Sequence, residues 1–98
     1  MVEVRAGVDA LDEALVTLLA RRFRYMDAAA RIKPTRDAVR DETRKADVIA
    51  NARKVAVRAD APETSIADLY DRLVEASIAY ELEHWEALRR DRPNAVGD

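Results

Sequence analysis

Apolar residues recur along the first third of the chain in alternating steps of four and three. The positions of this first stripe are Val4, Val8, Leu11, Leu15, Leu18, Arg22, Tyr25, Ala29 and Ile32. Because that spacing places side chains on one face of a helix, the pattern predicts a single long helix over residues 3–32. Pro34 ends the helix, since a proline disfavours helical geometry at the residue before it.

Apolar residues repeat with the helical period in two more segments, and a few prolines and turn-forming residues separate these segments. The second helix is predicted to start from a cap at Thr35 or Asp37 and to run to about residue 58. The third is predicted to start from a cap at Thr64 or Ser65. No segment shows the alternation that is typical of a strand. The predicted fold class is therefore all-α, with three helices per chain.

Composition bounds what the domain can be. The 98 residues predict one domain, with a core over about residues 3–90. The arginine-rich end at 89–92 is interpreted as a solvated helix terminus that leads into a frayed tail, residues 91–98. A content of 49% hydrophobic and 37% charged residues, with a net charge of −2, favours a folded soluble protein over a nucleic-acid binder. Because the chain has no cysteine and no membrane-spanning apolar run, we expect a small cytoplasmic protein without membrane contact.

The length of the first helix predicts a partner. Thirty residues of helix extend about 45 Å at about 1.5 Å per residue, whereas a compact chain of this size has a radius of gyration near 13 Å. One compact chain cannot easily cover an apolar face of that length. We therefore predict a homo-oligomer, most simply a two-fold dimer in which the long helices pack on each other.

Arg22 occupies the first stripe where an apolar residue is expected, and a second cation, Lys33, follows on the same face just before Pro34. Arg22 and Lys33 are three helical turns apart, so their side chains point the same way from α-carbons about 16 Å apart and could hold a small anion between them. Arg5 lies 17 residues before Arg22, about 25 Å away along one helix. Across a two-fold axis with antiparallel long helices, Arg5 of one chain could reach the Arg22 region of the other.

The third helix carries a matching irregularity. Ser77 and Glu81 lie one turn apart and interrupt its apolar face. Polar groups on the inward faces of different helices predict a buried polar pocket within a bundle. Structural explanations compete with that prediction: Arg22 and Glu81 could form a buried ion pair, and Lys33 suits the C-terminal end of a helix dipole. With no catalytic triad, phosphate-binding loop or metal-ligand cluster in the sequence, we expect no metal and no cofactor.

Four stretches carry a family resemblance: VRAGVDALDEALVTLLARR, RIK, PTRDAVRDE and EASIAYELEHW. With them the sequence resembles the all-α chorismate mutases and their relatives, the isochorismate pyruvate lyases, over about residues 3–90. In that family an arginine opens the first helix, a second follows 17 residues later and a lysine 11 residues after that. Arg5, Arg22 and Lys33 match both spacings. Family members are intertwined homodimers whose opening arginine enters the partner's active site, which the resemblance implies for Arg5.

The resemblance implies an enzyme, a chorismate mutase that rearranges chorismate to prephenate in a cationic pocket at the dimer interface. Isochorismate pyruvate lyase activity, which gives salicylate and pyruvate, and a mutase acting on an amino analogue of chorismate are alternatives within the same site. An alternative of a different class is a non-catalytic helical dimerisation module, whose polar stripe positions only set the register of packing.

The resemblance also implies a set of site residues. Its substrate-binding members are Arg5, Arg22, Lys33, Asp37, Arg40, Asp41, Ser77 and Glu81, of which Arg22, Lys33 and Glu81 are also catalytic. The arginines hold carboxylates, Lys33 bonds the ether oxygen, Ser77 assists a carboxylate, and an aspartate binds the ring hydroxyl. Glu81 stands where bacterial mutases usually have glutamine, so it would have to be protonated to donate to the ether oxygen.

Overall fold

A computed structural model describes residues 1–90 of the chain. Its three α-helices are α1, Val2–Ile32, α2, Glu42–Arg58, and α3, Glu63–Arg90. One 3₁₀ turn, Arg36–Val39, lies between α1 and α2. No strand occurs within residues 1–90, so the predicted all-α fold with three helices is confirmed. The tail predicted to fray, residues 91–98, lies outside the described residues.

The end of α1 follows from its sequence. Lys33 is the first residue past the helix and has extended backbone angles, φ −65° and ψ 130°, which are those that a following proline favours. Its N–H still donates to Ala29 O at 2.9 Å, the last hydrogen bond of the helical ladder. Lys33 therefore sits at a fixed break in the chain, where its side chain leaves the helix.

The start of α2 corrects the sequence prediction. The helix begins at Glu42, because Asp41, rather than Thr35 or Asp37, is its N-cap and accepts a hydrogen bond from the Arg44 N–H at 3.0 Å. The preceding residues form the 3₁₀ turn, which places Val39 in the core with 3% of its surface exposed. Thr35, Asp37 and Asp41 can each cap a helix, so the preference of these residues for the N-cap position did not decide where α2 begins.

The turn between α2 and α3 is tight. Asp60 takes a left-handed conformation with φ 57°, while Ala61 N–H donates to Ala56 O at 2.8 Å and Asp60 N–H to Val57 O at 3.2 Å. Together these bonds are those of a Schellman motif, which ends a helix by satisfying its last carbonyls. α3 starts at Glu63, earlier than the predicted caps at Thr64 or Ser65. The two helices thus return antiparallel along each other.

The core of one chain is small. Val39, Val74 and Ile78 form its buried centre, with Val48, Leu82 and Trp85 packed around them. Elsewhere the buried apolar residues are alanines, which let helix backbones approach closely: Ala30, Ala52, Ala56 and Ala67. The C-terminal half of α1 and α2 pack on α3, and this core lies beside a cleft.

The first stripe does not stay on the packed face of α1. Tyr25 and Ile32, which the four-three pattern places inward, are 73% and 78% exposed. Ala30 is the fully buried position in this half of α1, and at about 100° per residue Tyr25 and Ile32 point about 140° and 160° away from it. The inward positions are therefore those of Phe23, Met26 and Ala30 rather than those of Tyr25 and Ile32.

The N-terminal half of α1 extends away from the rest of the chain. The overall dimensions are 62 × 31 × 15 Å, and the radius of gyration is 17.3 Å, well above the roughly 13 Å of a compact chain of this length. Five apolar side chains of this half, here called the N-terminal stripe, are each at least 50% exposed: Val4, Val8, Leu11, Leu15 and Leu18. None of the described helices is long and apolar enough to span a membrane.

Candidate functional site

A cleft of about 340 Å³ opens between the C-terminal half of α1, the start of α2 and the middle of α3. Its polar walls come from all three helices and the break after α1: Arg22, Lys33, Asp41, Arg44, Lys45, Ser77 and Glu81. Its floor is apolar and includes Met26, Val39, Val48, Val74 and Ile78. The cleft therefore joins an apolar base to a rim rich in cations.

Lys33 and Glu81 face each other across the cleft. Lys33 Nζ lies 2.7 Å from Glu81 Oε2, and the carboxylate side chain is 5% exposed while the lysine side chain is 29% exposed. The contact is an ion pair, although Glu81 Oε2 lacks a partner with the angles of a directed hydrogen bond. Glu81 thus pairs with Lys33, and the alternative pairing with Arg22 is not the one formed.

Arg22 and Ser77 form the second polar pair. Arg22 Nη1 donates to Ser77 Oγ at 2.6 Å, and Ser77 in turn donates to Leu73 O at 2.7 Å. Ser77 is 3% exposed, so its hydroxyl is a buried anchor that orients the guanidinium. Because Ser77 and Glu81 are one helical turn apart on α3, the structure brings Arg22 and Lys33 to the same cleft.

The start of α2 adds three charged groups to the cleft wall. Asp41 caps the helix with its side chain, and Arg44 and Lys45 follow one turn later. The Lys45 ammonium lies 2.6 Å from Glu75 and 2.9 Å from Asp71, two carboxylates of α3. The hydrogen bond to Glu75, and then the one to Asp71, raise the pKa of Lys45, so it stays a cation.

Two residues of the sequence-derived set lie elsewhere. Asp37 and Arg40 are exposed and are absent from the described residues that line the cleft. Arg40 donates to Glu75 at 2.7 and 3.1 Å and to Glu42 at 2.9 Å on the surface. Those hydrogen bonds, chiefly the ones to Glu75, raise the pKa of Arg40 above its usual value. Arg40 therefore serves a surface charge network in this structure.

Sequence reasoning missed Arg44 and Lys45, although a signal for Arg44 was present. The spacing of an aspartate and an arginine three residues later occurs twice in this segment, at Asp37 and Arg40 and again at Asp41 and Arg44. The N-cap decides between them, since Asp41 starts α2 and turns Arg44 toward α3. Lys45 gave no such signal, because its neighbours Asp71 and Glu75 are distant in sequence.

Arg5 lies on the extended half of α1, with its side chain exposed and outside the cleft of its own chain. The 17 residues between Arg5 and Arg22 amount to about 25 Å of helix, which exceeds the reach of one side chain. The two arginines therefore cannot bind the same small ligand within one chain.

The cleft has the chemistry of an anion-binding site. Four cations and a buried hydroxyl line it, and the single histidine, His84, lies outside it beside Asp27 and Tyr80. The hydrogen bond from Tyr80 to Asp27 raises the pKa of the tyrosine, so that group stays protonated. Among residues 1–90, no cluster of three histidine or acidic side chains could hold a metal ion. The groups present can bind carboxylates, donate hydrogen bonds and orient a ligand.

Comparison with known proteins assigns the chain to a family. The family model for chorismate mutase type II matches residues 4–82, a span that contains every polar residue of the cleft wall and Arg5. No curated protein and no solved structure matches the chain. Since the family model covers well over half of its length, the chain belongs to the chorismate mutase type II family.

Proposed function

We propose that the protein is a chorismate mutase that rearranges chorismate to prephenate. The observation that carries the proposal is the meeting of Arg22, Lys33 and Arg44 with buried Ser77 and Glu81 in one cleft. The volume of about 340 Å³ lies at the lower end of the range of small-molecule sites, which is roughly 300–1,000 Å³. A compact dicarboxylate ring such as chorismate suits a pocket of that size and charge.

The reaction requires what the cleft offers. The rearrangement is pericyclic, so it needs neither a nucleophile nor a proton transfer, and the absence of a histidine from the cleft is no obstacle. Binding must fold the enolpyruvyl arm over the ring, and orientation of this kind lowers the barrier. Negative charge gathers on the ether oxygen as its bond breaks, and fixed cationic donors stabilise that charge more than they stabilise the ground state.

The side chains divide into carboxylate binders and ether-oxygen donors. Arg22 and Arg44 hold the two carboxylates, since guanidinium groups pair with carboxylates in a bidentate way. Arg44 thereby takes the role that sequence reasoning gave to Arg40. Lys33 donates to the ether oxygen, Ser77 assists the carboxylate at Arg22, and Asp41 accepts from the ring hydroxyl. The position of each group on the cleft wall supports the role proposed for it.

Glu81 contributes a second hydrogen bond to the ether oxygen. It is 4% exposed, and its Oε2 lies 2.7 Å from the ammonium that is assigned to that oxygen, which supports a position for its carboxyl group beside the breaking bond. A carboxylate cannot donate, so this role requires a proton on Glu81 during turnover.

The active unit is a homodimer, and the N-terminal stripe is the surface that a second copy covers. Exposed apolar residues in a continuous row along about 20 Å of helix are typical of a protein interface. Charge favours an antiparallel arrangement: residues 2–17 carry four acids and one arginine, whereas residues 18–32 carry four arginines and one aspartate. Antiparallel packing sets the acidic half of each α1 against the basic half of its partner.

In that arrangement Arg5 of one chain completes the cleft of the other. Antiparallel packing of the two α1 helices brings each N-terminus toward the partner's Arg22, which is how a residue about 25 Å away in its own chain reaches a ligand. The cleft would then hold a further guanidinium for a substrate carboxylate. Each active site thus depends on both chains.

A direct assay tests the proposed function. Purified protein is incubated separately with chorismate and with isochorismate, and prephenate and salicylate are measured. We expect prephenate from chorismate, and a fall in turnover on the order of 100- to 1,000-fold in Lys33→Ala, which removes one transition-state donor. The matched control is Lys54→Ala, an exposed lysine of α2, which should retain turnover.

Other outcomes identify other functions. Salicylate formed from isochorismate without prephenate would assign the lyase reaction to the same cleft. Turnover of an amino analogue of chorismate, with neither of the two substrates consumed, would assign the amino mutase. A folded dimer inactive on all three substrates would leave the chain as a helical dimerisation module.

A further inference from the structure

The C-terminal end of α3 is fastened to the C-terminal end of α1. The Arg89 guanidinium uses two nitrogens, Nη1 donating to Ala30 O and Nη2 donating to Lys33 O, each at 2.8 Å. Trp85 Nε1 also donates to Lys33 O, at 3.0 Å. Lys33 is thus held by its backbone carbonyl on one side and by the contact of its ammonium with Glu81 on the other.

Pro34 explains why an outside donor is needed. In a continuing helix the N–H of residue 34 would donate to Ala30 O, but proline has no N–H. Ala30 is 0% exposed, so water has little access to the carbonyl that proline leaves without a partner. Arg89 supplies the missing donor through Nη1, and Nη2 of the same guanidinium donates to Lys33 O.

Arg89 is itself well placed for this contact. Its guanidinium lies 4.3 Å over the ring of Trp85, which limits its orientation. A positive charge at the C-terminus of α1 also complements the helix dipole. The sequence interpretation of residues 89–92 as a solvated terminus is therefore wrong for Arg89, although its neighbour Arg90 is exposed.

We propose that Arg89 is a positioning residue, which fixes the end of α1 so that the Lys33 ammonium is held in place against Glu81 and the reacting ether oxygen. Arg89 acts through the backbone of Lys33 and lies outside the cleft wall formed by the described residues. The effect on turnover rests on the proposed function, whereas the effect on Lys33 does not. Without the two hydrogen bonds from Arg89, the backbone of Lys33 at the end of α1 could rotate. Its ammonium would then leave its position beside Glu81.

The experiment compares four variants in the full-length protein. Arg89→Leu removes both hydrogen bonds to the end of α1 but keeps an apolar side chain against Trp85. Arg89→Lys keeps the charge but cannot donate to both carbonyls with the planar geometry of a guanidinium. Trp85→Phe removes one donor to Lys33 O and leaves the Arg89 contacts available. Arg90→Gln is the matched control, since it removes a neighbouring charge from the same helix end. Circular dichroism and sedimentation establish that each variant folds and assembles as the wild type does.

Two readouts separate positioning from general stability. The first is the split between kcat and KM for chorismate: we expect kcat to fall on the order of 100-fold in Arg89→Leu, as for a displacement of about 1 Å in a catalytic group. KM should change little, because the carboxylate-binding arginines are untouched. Arg89→Lys should fall less, Trp85→Phe least, and Arg90→Gln should match the wild type. The second is the NMR resonance of the Lys33 side chain in the ligand-free protein, which should move in Arg89→Leu and Arg89→Lys but not in Arg90→Gln.

The opposite results overturn the proposal. A folded Arg89→Leu protein with wild-type kcat and an unmoved Lys33 resonance would show that Arg89 does not position the lysine. If Arg89→Leu does not fold, Arg89→Lys decides by the same two readouts. If the wild type leaves chorismate unconverted, the proposed function fails, while the Lys33 resonance still decides whether Arg89 holds that side chain.

Discussion

Leu15 lies in the N-terminal stripe and is 54% exposed in the single chain. If a second copy covers the stripe, Leu15→Ala removes apolar surface that only the dimer buries. Full burial of a leucine is worth about 1.5–3 kcal/mol, so the exposed half contributes about 0.8–1.6 kcal/mol per chain and about 1.6–3.2 kcal/mol per dimer. At about 1.4 kcal/mol per factor of ten, the dimer Kd should rise roughly 15- to 200-fold.

Sedimentation equilibrium over a dilution series measures this Kd directly. Turnover of chorismate, followed over the same series, should fall with the dimer fraction because each site needs Arg5 of the partner. Val16→Ala is the control: Val16 is 64% exposed on the same helix but turned about 100° from Leu15. Equal effects of the two substitutions, or full activity in a protein that sediments as a monomer, would refute the assignment of the stripe to a second copy.

Three further predictions follow from the charged groups. Arg44→Ala should lower turnover on the order of 100-fold, as for a lost oxyanion contact, whereas Arg40→Ala should leave turnover unchanged; steady-state kinetics of both tests the register of the α2 segment, and the reverse order would restore Arg40. Glu81→Gln should keep turnover, since an amide nitrogen donates a hydrogen bond as a protonated carboxyl group would, whereas Glu81→Ala should lower it on the order of 100-fold, as for a lost oxyanion donor; full turnover in Glu81→Ala, measured by steady-state kinetics, would exclude Glu81 as the donor. Hydrogen bonds from Arg40 and then Lys45 lower the pKa of Glu75 from 4.5 to about 2, so its stabilising contribution is complete above about pH 4.5 and is lost as pH falls through about 2. Chemical denaturation across that window should show a smaller loss of unfolding free energy in Glu75→Gln, and an equal loss in both proteins would contradict the role of this pair.

Much of the fold could be predicted because only a few prolines and turn-forming residues interrupt the helical pattern, and their effect on the backbone is known. The spacing of Val4, Val8 and Leu11 and the position of Pro34 set the first helix to within a residue at its start and at its end. The exposure of Tyr25 was not foreseen, because the four-three pattern covers a wide arc of the helix surface and does not say which side of that arc packs on another helix. Only the packing of α1 on α3 decides which side of the stripe is buried.

The candidate site likewise has one part that the sequence predicted and one part that it did not. Arg22, Ser77 and Glu81 were identified from positions within helices, where the period fixes which way a side chain points. Lys33 was identified from the same period, although it lies one residue past the end of α1. Arg44 was missed because its direction depends on where α2 starts, and Asp41 had competing caps close by. Arg89 was missed because its partners are carbonyls nearly 60 residues away in sequence, left open by a proline. Contacts of that kind exist only once the helices are packed.

The claim that one site is built from two chains has a direct test in subunit mixing. Arg5→Ala and Lys33→Ala homodimers should each be inactive with chorismate, because each lacks one group at both sites. In a mixed dimer, the chain that keeps Lys33 receives Arg5 from its partner, so one of the two sites is complete. Random mixing of equal amounts should therefore restore about a quarter of the wild-type rate of prephenate formation, since half of the dimers are mixed. No restoration, with mixed dimers shown to form, would contradict the account.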